Sequence, residues 1–151
     1  MLFRVVGERR GGERGQSFVV MLLVVLPVLL LVLGLAYDLG NLAAGVTVAQ
    51  NAADLAAQEA GKLVDVEYYM VYQDVRLRPE AALVAQQVAD EMTGGAFRVQ
   101  GVHVREAVVV VEGEVAVRTP FLHAFLGWRS VGRPVIGVAQ AAYGIEGLPG
   151  E

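Results

Sequence analysis

The chain contains no cysteine. Disulfides, thiolate metal sites and a cysteine nucleophile are therefore excluded, and whatever folds must hold together by packing. Histidine occurs twice, as His103 and His123. No nucleophile elbow accompanies either one, so a Ser–His–Asp arrangement lacks support. His103 falls in an alternating strand pattern and His123 in an apolar turn, where structural roles are expected. The glycines at 7, 11, 12 and 15 follow no strand, which removes a phosphate loop. Asp38 and Asp54 are separated by about 24 Å of helical rise and cannot work as a carboxylate pair within one chain. We expect no catalytic residue, no cofactor and no metal, and argue against an enzyme. Positive charge is also scarce. Twelve Lys and Arg face sixteen Asp and Glu for a net charge of −4. Residues 1–15 carry Arg4, Arg9, Arg10 and Arg14 against Glu8 and Glu13, so beyond them the balance is −6. Nothing there favours nucleic acid.

The most informative absence is of charge altogether. Residues 18–37 hold none, and fifteen of the twenty are Leu, Val or Phe. On an insertion scale those fifteen contribute roughly −5 to −9 kcal/mol, from which one proline and one glycine subtract little. Twenty helical residues also span about 30 Å, the thickness of a bilayer core. A membrane helix follows, with the lipid bilayer as its first partner. The basic flank precedes it, while the next cation after Arg14 is Lys62, so the N-terminus is expected inside and the remainder outside. A cleavable secretion signal ending near "GLA" at residues 34–36 competes, but its apolar core would be unusually long.

Beyond Asp38 the pattern stays helical. Leu39, Leu42, Val46, Ala49, Ala53, Ala56 and Ala60 recur at alternating spacings of three and four, with Thr47, Asn51, Asp54 and Gln58 beside them. Gly61 marks a stop. Alanine admits another backbone closely but buries little area, so this half packs on the chain's own domain, on neighbouring copies, or on both. Residues 63–78 suit a strand or an irregular packed segment. Pro79 opens a second helix whose apolar face is Ala81, Val84, Ala85, Val88 and Met92, closed by Gly94 and Gly95. In "EAVVVVEGEVAVR" the odd positions from Ala107 to Val117 alternate with Glu106, Glu112, Glu114 and Arg118, a strand with one buried face. "AFRVQGVHVR", with a bulge at Gly101, and "GRPVIGVAQAAYG" read as its partners. The fold class is α+β, with a 3–4 stranded antiparallel sheet. The boundaries are 1–15 for a basic cytoplasmic leader, 16–61 for the transmembrane helix and its extension, and 62–151 for an exported domain.

The ordered set of a basic leader ending in Gly15 and Gln16, an apolar helix with Pro27, Gly34 and Asp38 at its outer end, and "QNAADLAA" at residues 50–57 resembles the TadE/TadG-like proteins of Flp (tight adherence) pilus assembly. The resemblance implies a pilin- or pseudopilin-like shape in the bacterial inner membrane, with pilus subunits as partners and a structural role in assembly. It also implies prepilin peptidase as a partner, cutting between Gly15 and Gln16. The acid expected at the fifth position after that cut is Val20 here, which favours an uncut anchor over a processed minor pseudopilin. The resemblance further places helix-packing or assembly contacts at Pro27, Gly34, Asp38, Gln50, Asn51, Ala53 and Asp54. Asp38 reads equally as the first solvated residue past the bilayer. A reading of another class is a tethered ligand-binding module, which requires a deep pocket lined by Tyr68, Tyr72 and His103.

Overall fold

The structure is a computed structural model that describes residues 12–141, with side chains from Ser17 onward. Its first element, helix α1, runs through Gly12–Gly61, 50 residues without interruption. At 1.5 Å per residue this is a rod of about 75 Å. Pro27 lies inside it and removes one backbone bond, a loss that the continuing helix on either side tolerates. Every residue from 17 to 33 is exposed, although nearly all are large and apolar. From Gly34 onward one side of the same helix becomes buried.

The rest of the chain wraps that second half. A seven-residue helix, α2 (Val66–Tyr72), is followed by α3 (Ala81–Thr93), then strands β1 (Phe97–Arg105) and β2 (Val108–Arg118). A short helix α4 (Pro120–Leu126) leads into strand β3 (Ser130–Gln140). The three strands form one antiparallel meander in the order β1-β2-β3. This is the expected α+β class, with two more short helices than the sequence pattern suggests.

The core lies between one face of the sheet and the helices α1 and α3. Val109, Val111 and Val115 of β2 point into it, as their odd positions predict. Alanines face them: Ala56, Ala57 and Ala60 meet Ala81 and Ala85 in one cluster. Ala49, Ala52 and Ala53 meet Ala89, Phe97 and Val135 in the other. The apolar face of α3 is centred on Ala81, Ala85 and Ala89, so Met92 is left exposed and the expected stripe is rotated slightly. Close packing of small residues lets the helices approach each other, and it leaves the core modest. The six buried α1 alanines together contribute on the order of 5 kcal/mol.

Segment 63–78 departs from a strand. Val64 and Leu77 form an isolated bridge, and Asp65 and Arg76 add a backbone bond of 2.7 Å. Above that closed base sits α2, where the Asp65 carboxylate accepts from the Tyr68 N–H at 3.1 Å. A strong N-cap outweighs the strand preference of Val66, Tyr68 and Tyr69, since no neighbouring strand edge rewards extension. Between β1 and β2 the two-residue turn Glu106-Ala107 has φ of 49° and 70°. Both values lie in the left-handed region, where neither residue type is at ease. The register of β1 slips between Val99 and Gly101, next to the expected bulge position. The Val99 N–H at the slip donates to Gln86 Oε1 of α3 at 2.9 Å.

Candidate functional site: the docked half of the long helix

Two polar clamps and a row of small residues attach α1 to the α+β unit. The first clamp is Asp38. It is fully buried, which corrects the reading of it as the first solvated residue past an apolar stretch. Its Oδ2 accepts from the backbone N–H of Leu122 at 2.6 Å, across 84 residues of sequence. Leu122 lies at the third position of α4, so a carboxylate from α1 supplies the cap that the local N-cap residue, Thr119, does not. The Thr119 hydroxyl is engaged elsewhere, donating to the Trp128 carbonyl at 3.2 Å and closing the turn after α4. The other Asp38 oxygen, Oδ1, has no hydrogen-bond partner among the described residues. A turn before it, Gly34 is buried beneath the Phe121 ring, and a Cβ there would collide with that ring. Tyr37 meets the same ring edge-on, with centroids 5.7 Å apart.

The second clamp is the pair Gln50 and Asp54, one turn apart and joined at 3.2 Å. Gln50 Nε2 donates to the Ile136 carbonyl at 2.8 Å, and Asp54 Oδ1 accepts from the Val138 N–H at 3.2 Å. Strand β3 is an edge strand, and Ile136 and Val138 present one donor and one acceptor along its free side. The two side chains therefore imitate one rung of a β-ladder and cover an edge that would otherwise invite another chain. Between them Ala53 is buried against Gly137, where any Cβ would overlap the α1 backbone. Glycine is required at 137 because backbone meets backbone there.

The structure thus brings Gly34, Asp38, Gln50, Ala53 and Asp54 into contact with the α+β unit. Pro27 is exposed, lying among the bare apolar residues. Asn51 is also exposed, on the opposite side of the helix from Ala53. Gly15 lies within α1, and Gln16 follows it in the same helix. The polar stripe expected from Thr47 to Gln58 splits, because Asp54 turns inward while Thr47, Asn51 and Gln58 face out. Leu39, assigned to the apolar seam, is 55% exposed. Sequence patterning missed the receiving partners, namely Phe121, Leu122, Ile136, Gly137 and Val138. Gly137 did carry a signal, as an isolated glycine inside a strand pattern.

A family model matches residues 15–62. The matching family is the TadE/G-like family of Flp pilus assembly. The match starts near the beginning of α1 and ends one residue past it, so it contains both clamps on the helix side and neither of their receivers. The match covers about a third of the chain, and the likeness to that family is confined to this segment. No curated protein and no solved structure matches the chain.

Tyr68 and Tyr72, invoked for a ligand pocket with His103, stack on each other with centroids 4.6 Å apart. Arg76 lies over the Tyr68 ring at 5.4 Å. His103 is exposed on β1, its ring beside Gly101. Among the described residues, no group of three or more acidic or histidine side chains is placed to hold a metal ion.

Proposed function

We propose that this chain is a single-pass inner-membrane component of a Flp/Tad pilus-assembly machine. Its N-terminus lies in the cytoplasm and its α+β unit is displayed outside, with residues 1–15 as leader, 16–61 as anchor and extension, and 62–151 as the exported unit. Its work is mechanical: α1 holds the unit at the membrane surface and presents it to other assembly subunits. The observation that carries this reading is α1 itself, a single helix bare through Leu33 and docked from Gly34 onward. A soluble protein would not leave seventeen consecutive, mostly large apolar residues in water, and a bilayer removes that cost. Among the described residues this is the one helix long and apolar enough to cross a membrane.

The docked alanines are satisfied by the chain's own unit, which leaves a different stripe of α1 for partners. Ala44, Val48, Asn51 and Leu55 follow one another at spacings of four, three and four, and all are exposed. That stripe is where we place the contact with a second assembly subunit. Prepilin peptidase acting between Gly15 and Gln16 gives the variant reading of a filament-borne minor pseudopilin, with Val20 in place of the expected acid arguing for the anchor.

The test uses the absence of cysteine. Single cysteines at Arg4 and at Gln73 in the full chain report sidedness to a membrane-impermeant maleimide, since no native thiol competes. Labelling at Gln73 but not Arg4 in intact spheroplasts, with protein resisting carbonate extraction, is the expected result. Labelling at Arg4 alone, or extraction by carbonate, overturns the reading. Mass spectrometry of the same material distinguishes anchor from pseudopilin by its first residue, Met1 or Gln16.

A further inference from the structure

Helix α4 is apolar on its outer side as well as its inner one. Phe125, Leu126 and Trp128 are 61%, 58% and 59% exposed. They sit at one end of the α+β unit, beside the apolar stretch of α1. Between the two helices runs a cleft of about 220 Å³ walled only by apolar side chains, Leu31 and Leu35 from α1 and Phe121, Leu122, Phe125 and Leu126 from α4. Leu31 and Leu35 lie within the last 9 Å or so of the uncharged stretch that ends at Tyr37. The position of the cleft along the rod is therefore fixed, and it lies inside the apolar thickness that α1 itself spans. On the other side of α4 the chemistry reverses. A recess of about 700 Å³ there is lined by Tyr37, Asn41, Arg118, His123 and Arg129. Tyr37 and Asn41 place this recess at the very end of the apolar stretch and one turn past it, the depth at which phosphates lie.

We infer that α4 is a second membrane contact: a foot that enters the outer leaflet, admits an acyl chain between itself and α1, and meets lipid phosphate with Arg118 and Arg129. This rests on the membrane reading above and extends it to a part of the chain outside the matched segment. The occupant is phospholipid, because the apolar and cationic surfaces are stacked in the order and spacing of a leaflet. An aromatic at the boundary, Trp128, completes the pattern of an interfacial element. The clamps explain how a seven-residue helix keeps its place: Asp38 caps it, and Phe121 lies over Gly34. With two points in the bilayer, the unit cannot swing freely about the end of its anchor.

Trp128 is the chain's single tryptophan and lies two residues past the end of α4, so its fluorescence reports on this end of the unit. Full-length protein is reconstituted in phosphatidylcholine vesicles with and without phosphatidylglycerol, and with lipids brominated near the top of the acyl chain. The expected result is blue-shifted emission, at least two-fold quenching by the brominated lipid, and weak quenching by aqueous iodide. The double variant Phe125→Asp with Leu126→Asp then shifts emission to that of hydrated tryptophan while carbonate resistance is unchanged. Arg118→Gln with Arg129→Gln weakens the extra blue shift given by phosphatidylglycerol. Water-like emission in protein that resists carbonate overturns the foot and leaves the anchor standing. So does a Trp128 shielded from both quenchers, which would mean that protein covers it. Protein extracted by carbonate removes the membrane reading first, and the foot with it.

Discussion

The two halves of α1 handle apolar side chains in opposite ways. Residues 17–33 are dominated by Leu and Val and every one is exposed, whereas the buried positions beyond Gly34 are chiefly alanine. Greater hydrophobicity goes with less burial inside the protein. On the membrane reading proposed above, lipid removes the penalty in the first half, where large side chains contribute most. In the second half the partner is another backbone, and side-chain size would hold it away. One helix is thus written for two media, and each half should fail under a different kind of substitution.

The largest effect is expected at Gly137. Gly137→Val pushes a side chain into the α1 backbone at Ala53, separating β3 from the helix. A loss of about 3 kcal/mol is expected, read as collapse of the α+β unit's thermal unfolding transition in detergent. Nearly as large but opposite in kind is Val24→Arg. It should cost about 3 kcal/mol in membrane insertion and leave the unfolding transition of the unit where it was. If Val24→Arg unfolds the unit and does not impair insertion, the division of α1 into two media is wrong.

Asp38→Ala sharpens the boundary between the halves. Loss of the cap on Leu122 should cost about 1 kcal/mol and appear as faster hydrogen exchange confined to α4, with Asp38→Asn largely restoring protection. At the far end of the unit, Glu106→Asn with Ala107→Gly suits the left-handed turn they occupy. A gain of about 1 kcal/mol in the same thermal transition is expected. The smallest change in stability belongs to Leu55→Gln, on the exposed side of α1. It should alter unfolding by under about 0.5 kcal/mol, yet lower crosslinking of full-length chain to its assembly partners if the stripe from Ala44 to Leu55 is their contact.

Period and composition made the two halves of α1, the alternation in β2 and the α+β class legible in advance. Each depends on a repeat that a window of sequence contains. What stayed hidden depends on single long-range pairs. Asp38 and Leu122 are 84 residues apart, as are Asp54 and Val138. A lone acid after an apolar run looks solvated until a helix N-terminus arrives to meet it. The α2 segment misled for a local reason, since Val and Tyr favour strands on average and one well-placed aspartate reverses them. Helix α4 read as an apolar turn because seven residues are too few for a period to show.

The absence of any joint between the halves of α1 has a mechanical consequence. A continuous helix is a stiff shaft, so the azimuth of the unit is geared to the face that the shaft's apolar half turns toward whatever surrounds it. Adding a single residue near Val24 would turn the display by about 100° and lift it by 1.5 Å, keeping every contact within the unit intact while aiming its surfaces at the wrong neighbour.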